Sequence, residues 1–148
     1  MTKEKTILLI EDNNSDIELA KRALAKVHVL NALVVATDGQ EALDYLFGVG
    51  AYAGRDPSVL PALTLLDLKL PKVSGLEVLR RIRTEKTTRR MPVVILSSSR
   101  EEQDVAAGYD LGSNSYIRKP LDFKCFVEGI EHLAAYWLTI NEPPPNVR

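Results

Sequence analysis

Five short, nearly uninterrupted aliphatic runs are separated along the chain by longer and more polar stretches. None of the runs shows the alternation of apolar and polar residues that is expected of a strand with one face in water. Uninterrupted apolar runs are typical of strands that are covered on both faces, as in a parallel sheet between two layers of helices. We therefore predict β-strands at residues 6–10, 32–36, 63–68, 93–97 and 115–117.

The stretches between these runs carry signals of helices. Two of them repeat apolar residues with helical period and are predicted to face the core through Ile17, Ala20, Leu24 and Val27, and through Phe123, Phe126, Val127, Ile130, Ala134 and Trp137. Ser74 is followed three residues later by Glu77, a capping-box pattern that predicts a helix start just after Pro71. Strand and helix are thus predicted to alternate five times.

Repeated strand–helix alternation predicts an α/β fold with a doubly wound sheet and right-handed crossovers. Five strands favour the flavodoxin-like parallel order 2-1-3-4-5, with helices on both faces. We predict one domain over residues 1–140 and a proline-rich tail over residues 141–148, since three consecutive prolines cannot continue a helix. The connection over residues 48–61 is long for this fold, so the second helix either extends through Tyr52 or is followed by a projecting surface loop.

Composition narrows the class of protein. The 148 residues are 45% hydrophobic and 26% charged, with a formal net charge of -1, which gives no overall electrostatic reason to expect binding to nucleic acid or to a membrane. Cys125 is the single cysteine, so neither an intramolecular disulfide nor a thiolate metal cluster can form. The polar start MTKEKT does not suit a signal peptide, and no apolar run is long enough to span a bilayer. We expect a cytoplasmic protein.

Acidic residues follow two of the predicted strands directly. Glu11 and Asp12 end the first strand and Asp67 ends the third, and in the order 2-1-3-4-5 these ends face one another across the crevice where ligands bind. Two carboxylates about 4 Å apart repel by about 4 kcal/mol at an effective dielectric of about 20, so three of them call for a cation or a proton. All-oxygen ligation suits Mg²⁺ or Mn²⁺. An acid here could instead stabilise the N-terminus of the first helix, which favours anions, but this would explain one acid and not three.

Two further polar residues are predicted at the same edge of the sheet. Ser97 ends the fourth strand and Lys119 follows the fifth. Alone, a serine at a strand end is usually a helix cap and a lysine is usually solvated. Five chemically complementary residues at the ends of four strands form a far more specific pattern.

With their surrounding sequence, these positions resemble the receiver domain of two-component response regulators over residues 5–138. The resemblance rests on LLIEDN, LLDLKLPKVSGLEVL, VVILSSS and GSNSYIRKP. It implies that Asp67 attacks a phosphohistidine on a partner histidine kinase and becomes an acyl phosphate, in a reaction that the domain itself catalyses. It further implies that Lys119 and the Ser97 hydroxyl contact phosphoryl oxygens, and that Mg²⁺ is held by Glu11, Asp12, the Asp67 side chain and the backbone carbonyl of Lys69.

The resemblance also implies a conformational switch. Tyr116 matches the family's aromatic residue, whose ring turns inward when the Ser97 hydroxyl moves onto the phosphate, although an ordinary strand tyrosine would look the same in sequence. Lys119 and Pro120 match a Lys-Pro pair whose peptide is often cis in this family. Glu11 stands where many members have Asp, and Ser97 where many have Thr. Both variants keep the charge or the hydroxyl.

Partners are implied by the narrower resemblance. The connection GVGAYAGRDPSVLPALTLLDL and the tail AAYWLTINEPPP are similar to those of single-domain regulators that serve bacterial phytochrome histidine kinases. Few residues follow the predicted fifth helix, so output is expected through another protein rather than through a DNA-binding effector. Such regulators often self-associate through the fourth helix, fifth strand and fifth helix, which makes a homodimer a hypothesis.

Two other functions remain open from sequence. A Mg²⁺-dependent phosphatase that forms an aspartyl phosphate takes its nucleophile from the first strand and has a second Asp two residues later, whereas Asp12 is followed by Asn13 and Asn14. A binding module with this fold but without phosphorylation is disfavoured, because all five site residues are present.

Two features are interpreted without a functional role. The basic run RRIRTEKTTRR is read as a solvated helix face with Leu79 and Ile82 toward the core, not as a nucleic-acid site. Cys125 is read as a small core filler rather than a reactive thiol.

Overall fold

The structure, a computed structural model, describes residues 5–26, 33–98, 101–119 and 122–145. Its parallel strands are β1 (Ile7–Ile10), β2 (Leu33–Ala36), β3 (Leu63–Leu66), β4 (Val93–Ser97) and β5 (Ser115–Arg118). Its α-helices are α1 (Asn14–Lys26), α2 (Gly39–Phe47), α3 (Gly75–Thr84), α4 (Glu102–Asp110) and α5 (Phe123–Ala135). A 3₁₀ turn at Gly50–Tyr52 follows α2, and a π-helical turn at Tyr136–Ile140 continues α5. No helix in these ranges has the length and apolar character needed to cross a membrane.

The sheet has the predicted order, β2-β1-β3-β4-β5, with every pair parallel. In the register, Ile10 lies opposite both Ala36 and Leu66, and Ser97 lies opposite Arg118. β4 has its predicted bounds, whereas β3 ends at Leu66, two residues earlier than predicted. The hydrogen bonding continues one residue further, because the Asp67 amide donates to the Ile10 carbonyl (3.0 Å), so Asp67 lies at the rim of the sheet.

Two cores lie on opposite faces of the sheet because successive strand side chains point to opposite sides. Ile7 and Leu9 pack under α1 and α5, while Leu8 and Ile10 pack against α2 and α3. Helix α4 covers the second face as well, where a Cβ atom at Gly108 would lie 2.7 Å from a methyl carbon of Ile95. The prediction of helices on both faces is therefore confirmed.

Side-chain caps fix where the helices begin. The Ser74 hydroxyl accepts a hydrogen bond from the Glu77 amide (3.3 Å), and α3 starts at the next residue, as the capping-box pattern predicts. The Asn13 side chain accepts from the Asp16 amide (3.0 Å) immediately before α1. The ends of β1 and β3 are thus followed by helix N-termini at defined positions.

The long connection after α2 matches neither of the two predicted alternatives. α2 ends at Gly48, whose φ of 66° stops the helix, and the chain then folds back onto α2 instead of projecting. The Tyr52 ring stacks edge-on against Tyr45 (5.2 Å between centroids), and its hydroxyl donates to Glu41 (2.9 Å). The Arg55 guanidinium lies 3.9 Å from the centre of the Tyr45 ring. Aromatic stacking and a cation–π contact therefore hold the connection against α2.

The apolar stripe of α5 begins later than predicted. Phe126 is buried and starts the stripe, whereas Phe123 is 54% exposed in the first turn. Cys125 is also exposed, so its interpretation as a core filler is wrong. The reason is helical geometry. A helix turns by about 100° per residue, so Cys125 lies on the same face as exposed His132, seven residues later. This face is about 100° away from Phe126, which belongs to the buried stripe. Val27 lies outside the described residues.

The basic run on α3 divides between core, solvent and an internal brace. Leu79 and Ile82 are buried as predicted, and Arg80 is exposed beside Glu77. Arg83, however, is not a freely solvated charge, because its guanidinium donates to the backbone carbonyls of Gly112 and other residues across the fold. The interpretation of this run as a wholly solvated arginine face is wrong at that position.

Candidate functional site

The sheet register brings the predicted acids together. Because Ile10 lies opposite Leu66, the residues after them, Glu11 and Asp67, leave neighbouring strands at the same level. The Asp67 amide donates to the Ile10 carbonyl and the Glu11 amide to the Ala36 carbonyl, both at 3.0 Å. One carboxylate oxygen from each of Glu11, Asp12 and Asp67 lies within 4.8 Å of the others. The sequence placed three acids at one edge of the sheet, and the structure has them there.

The three carboxylates differ in exposure. Glu11 is 2% exposed and Asp67 9%, whereas Asp12 reaches solvent. Among the described residues, the Glu11 Oε2 atom is buried without a hydrogen-bond partner. Burial, reinforced by the nearby carboxylates of Asp67 and Asp16, raises the pKa of Glu11 to about 9. An unpaired buried oxygen in an all-oxygen donor set fits a hard divalent cation such as Mg²⁺ or Mn²⁺.

Lys119 enters this cluster from the other half of the sheet. Its amide donates to the Ser97 carbonyl (2.7 Å), which extends the pairing of β4 with β5 by one residue. Its ammonium lies 2.7 Å from Glu11 Oε1, 2.7 Å from Asp16 Oδ2 and 3.9 Å from Asp67 Oδ2. Burial lowers the pKa of Lys119, but hydrogen bonds to Asp16 and Glu11 outweigh this effect and leave the pKa above its ordinary value. The lysine therefore remains an ammonium.

Asp16 is the site residue that the sequence reasoning missed. It lies in the first turn of α1, four residues after Asp12, and its carboxylate points back to Lys119. Burial raises its pKa, but hydrogen bonds with Glu11 and Lys119 more than compensate, and the pKa lies below the ordinary value. The available signal was its position: a helix that begins at the end of β1 holds its first turn over the same rim.

The remaining predicted residues lie around the acids at different depths. Ser97 is fully buried at the end of β4, while its neighbour Ser98 lines the pocket above the acids. Lys69 is exposed on the pocket wall, and its amide lies 3.4 Å from Asp67 Oδ1. Tyr116 is half-buried in β5, beside Gly108 of α4. Pro120 lies outside the described residues. The pocket has a volume of ≈310 Å³, enough for a phosphoryl group and a hydrated ion.

A close backbone approach fixes the loop that carries Asp67. The Gly75 amide donates to the Leu68 carbonyl (2.9 Å), so the start of α3 lies directly against the end of β3. A Cβ atom at position 75 would be 2.1 Å from the Asp67 carbonyl oxygen and 2.5 Å from the Leu68 Cα. Only glycine allows this contact, which places Asp67.

A strand-end acid cluster with a buried lysine on a five-stranded 2-1-3-4-5 sheet has a clear counterpart among known families. The family model described as the response regulator receiver domain matches residues 7–131. This chain belongs to that family. The receiver fold, with its five parallel strands and helices on both faces, accounts for the architecture described above.

Two regulatory proteins resemble this chain over most of their length. The probable methanogenesis regulatory protein FilR2 of Methanothrix harundinacea is 40% identical over 138 residues, 93% of this chain and 86% of FilR2. Response regulator Rcp1 of Synechocystis is 37% identical over 134 residues, 90% of this chain and 89% of Rcp1.

Solved receiver structures superpose closely. The phosphorylated cyanobacterial phytochrome response regulator RcpA has a TM-score of 0.88 at 40% identity, covering 97% of this chain and 100% of that chain. The Mn²⁺-bound form of Rcp1 has a TM-score of 0.86 at 35% identity, covering 95% of this chain and 99% of that chain. Both are response regulators, and the name of RcpA links it to a phytochrome.

Proposed function

We propose that this receiver domain accepts a phosphoryl group on Asp67 from a histidine kinase and signals by contacts with other proteins. The observation that carries the proposal is the convergence of Asp67, Glu11 and Asp12 with the ammonium of Lys119 in one open pocket. Phosphoryl transfer needs in-line positioning and neutralisation of charge rather than a strong nucleophile. This pocket supplies a carboxylate nucleophile, a cation and room for a second cation.

Glu11, Asp12, the Asp67 side chain and the Lys69 carbonyl would hold Mg²⁺ or Mn²⁺. The all-oxygen set, the unpaired Glu11 oxygen and the Mn²⁺-bound form of Rcp1 support this assignment. When bound, the metal supplies positive charge next to the phosphoryl oxygens.

The transfer is an exchange of one bond to phosphorus for another. A carboxylate oxygen of Asp67 forms the new P–O bond as the P–N bond of the donor phosphohistidine breaks. The electron pair of the broken P–N bond returns to the imidazole nitrogen. Lys119 lies 3.9 Å from Asp67 and is placed to pair with a phosphoryl oxygen. Later hydrolysis adds water to phosphorus, breaks the same P–O bond and regenerates the Asp67 carboxylate.

Ser97 and Tyr116 are proposed as the switch that reports phosphorylation. Ser97 is buried at the end of β4, next to Ser98, which lines the pocket. Tyr116 of β5 lies opposite Ile95 of β4, so a shift of the end of β4 would reach both switch residues. Tyr116 borders α4 at Gly108. Phosphorylation would thereby alter the surface formed by α4, β5 and α5, where a downstream protein would bind.

A phytochrome histidine kinase is the proposed donor. The phytochrome response regulator RcpA supports this assignment by resemblance, whereas FilR2, a relative of comparable similarity, bears a methanogenesis regulatory name. An experiment can test the choice of donor. A phytochrome histidine kinase should phosphorylate this chain faster than an unrelated histidine kinase does. Equal rates would count against the pairing.

The proposed setting of the protein is the cytoplasm. We propose residues 1–140 as the receiver domain and residues 141–148 as a tail.

A homodimer through α4, β5 and α5 is the proposed assembly. Exposed apolar side chains on this side, Tyr109 and Phe123, support it. Light scattering should show a dimer fraction that rises on phosphorylation and falls in Tyr109→Ser. A monomer in both states would refute the assembly without affecting the phosphorylation proposal.

The phosphoacceptor is tested with a small-molecule donor. Incubation with acetyl phosphate and Mg²⁺ should give an acid-stable, base-labile phosphoprotein that Asp67→Asn does not form. Glu18→Gln is the control, because Glu18 is an exposed α1 carboxylate whose side chain pairs with Lys21. Multiple turnover of the donor would indicate a phosphatase, and the absence of any adduct would indicate a binding module.

A further inference from the structure

Three carboxylates surround the Lys119 ammonium, but only two of them belong to the acid cluster. Glu11 and Asp67 are members of the group that could hold a metal ion, and Asp16 is not. Asp16 Oδ2 nevertheless lies 2.7 Å from Lys119 Nζ, as close as Glu11 Oε1 and much closer than Asp67 Oδ2 at 3.9 Å. Asp16 is thus a close partner of Lys119 that would not be a ligand of a metal at the acid cluster.

The first turn of α1 holds Asp16 in place. Its amide is bound by the Asn13 side chain (3.0 Å), and the next residue, Ile17, is buried in the core beneath α1. Backbone and neighbouring side chain therefore fix the direction from which the carboxylate approaches Lys119. A short aspartate side chain on a fixed backbone loses little entropy when it forms a hydrogen bond.

We propose that Asp16 is the positioning residue for Lys119, holding its ammonium beside Asp67 while Glu11 is engaged at the metal site. The inference rests on the proposed phosphoryl transfer and deepens it. An ammonium has three N–H donors. In the structure two are directed to Glu11 and Asp16, and the third is available toward Asp67.

Competition for Glu11 makes Asp16 necessary. A carboxylate that shares its charge with a metal through Oε2 is a weaker acceptor for Lys119 at Oε1, and without Asp16 the lysine would be released toward solvent. With Asp16 in place, the ammonium keeps its anchor and the third N–H can meet a phosphoryl oxygen on Asp67. Residues that orient metal ligands typically change metal affinity or activity by about 10- to 100-fold when removed, and we expect an effect at the lower end of this range for Asp16 and Lys119.

The first test measures the position of Lys119 without phosphorylation. In Mg²⁺-saturated protein, an amine-reactive acetylating reagent is applied and modification of Lys119 is followed by mass spectrometry, relative to exposed Lys21 in the same molecule. Asp16→Ala should raise the relative modification of Lys119 several-fold, and Glu18→Gln should leave it unchanged. No rise in Asp16→Ala would overturn the proposal.

The second test is a double-mutant cycle on phosphorylation by acetyl phosphate at saturating Mg²⁺. Asp16→Ala should slow adduct formation on Asp67 by about tenfold, and Asp16→Asn, which keeps an acceptor oxygen, should slow it less. In a Lys119→Ala background, Asp16→Ala should change the rate by no more than about twofold, because the two residues act as one unit.

The outcomes separate this inference from the proposed function. An equal loss in both backgrounds would show that Asp16 acts other than through Lys119, and faster phosphorylation in Asp16→Ala would show that its charge merely repels the phosphoryl group; either result overturns the inference. If the wild-type chain forms no adduct on Asp67, the proposed function fails, and the modification of Lys119 still decides whether Asp16 positions it.

Discussion

Asp67 depends on a residue that carries no side-chain chemistry. Gly75 lets the start of α3 approach the end of β3 until a Cβ atom would lie 2.1 Å from the Asp67 carbonyl oxygen. In contrast, Gly129 in the middle of α5 has open space around it, with no atom within 4 Å of where a Cβ would be. Gly75 is therefore required for a close backbone contact, whereas a larger residue would fit at Gly129.

Alanine substitution should distinguish them. Gly75→Ala should lower the free energy of unfolding by about 1–3 kcal/mol, because the added carbon forces the backbone apart. It should also weaken Mg²⁺ binding, because Asp67 moves with its carbonyl. Urea unfolding and calorimetric titration with Mg²⁺ give the two quantities.

Gly129→Ala is the matched control. It should raise the free energy of unfolding by up to about 1 kcal/mol, since alanine has the higher helix propensity, and it should leave Mg²⁺ binding unchanged. Equal destabilisation by both substitutions would contradict the assignment of Gly75 to the site.

At the scale of elements, Arg83 joins three parts of the fold. From α3 its guanidinium donates to the Met91 carbonyl before β4 (2.6 Å), to the Gly112 carbonyl after α4 (2.8 Å) and to the Asn114 side chain before β5 (3.0 Å). The same Asn114 oxygen accepts from the Val93 amide (2.8 Å). Burial lowers the pKa of Arg83, which nevertheless remains charged at any physiological pH.

Removing this brace should destabilise the fold more than removing a neighbouring surface charge. Arg83→Ala should lower the free energy of unfolding by about 2–3 kcal/mol, because carbonyls lose charged donors. Arg80→Ala, which removes an exposed arginine paired with Glu77, should cost no more than about 0.5 kcal/mol. Denaturant unfolding of both variants provides the comparison, and similar midpoints would rule out the brace.

At the scale of the whole molecule, the acid cluster couples stability to pH and metal. The pKa of Glu11 rises from 4.5 to about 9 on folding. The folded metal-free protein therefore holds a proton that the unfolded chain releases above pH ~4.5. This stabilising contribution is fully present below that pH and is lost as the pH rises toward about 9. A metal needs the carboxylate without its proton, so its affinity changes in the opposite sense.

The unfolding temperature should therefore fall with rising pH in chelator and change much less in excess Mg²⁺. Expressed as the free energy of unfolding, the gap between the two conditions should widen from pH 6 to pH 9, reaching about 2.7 kcal/mol where Mg²⁺ is at 100 times its dissociation constant. Glu11→Gln, which mimics the protonated carboxyl, should remove most of the pH dependence and most of the gap. Parallel curves for the wild type would refute the linkage.

Much of the fold could be predicted from short segments of the sequence. Aliphatic runs without polar alternation predicted all five strands, and the capping pair at Ser74 and Glu77 predicted the start of α3. These predictions succeeded because strand burial and helix capping depend on residues close together in the chain. The end of β3 was mispredicted because it depends on pairing with neighbouring strands. Cys125 was mispredicted although its place on the helix face of exposed His132 was already set by the sequence.

The candidate site divides in the same way. The sequence by itself determined that Glu11, Asp12, Asp67 and Lys119 would share one rim, because parallel strands have their carboxyl ends on one side of the sheet. Only the tertiary structure decided that the lysine binds Asp16 as closely as Glu11, and that Tyr52 folds back onto α2. The physical reason is one of range. Strand order sets positions to within a few residues, but hydrogen bonds select partners within fractions of an ångström, and that selection requires the packed molecule.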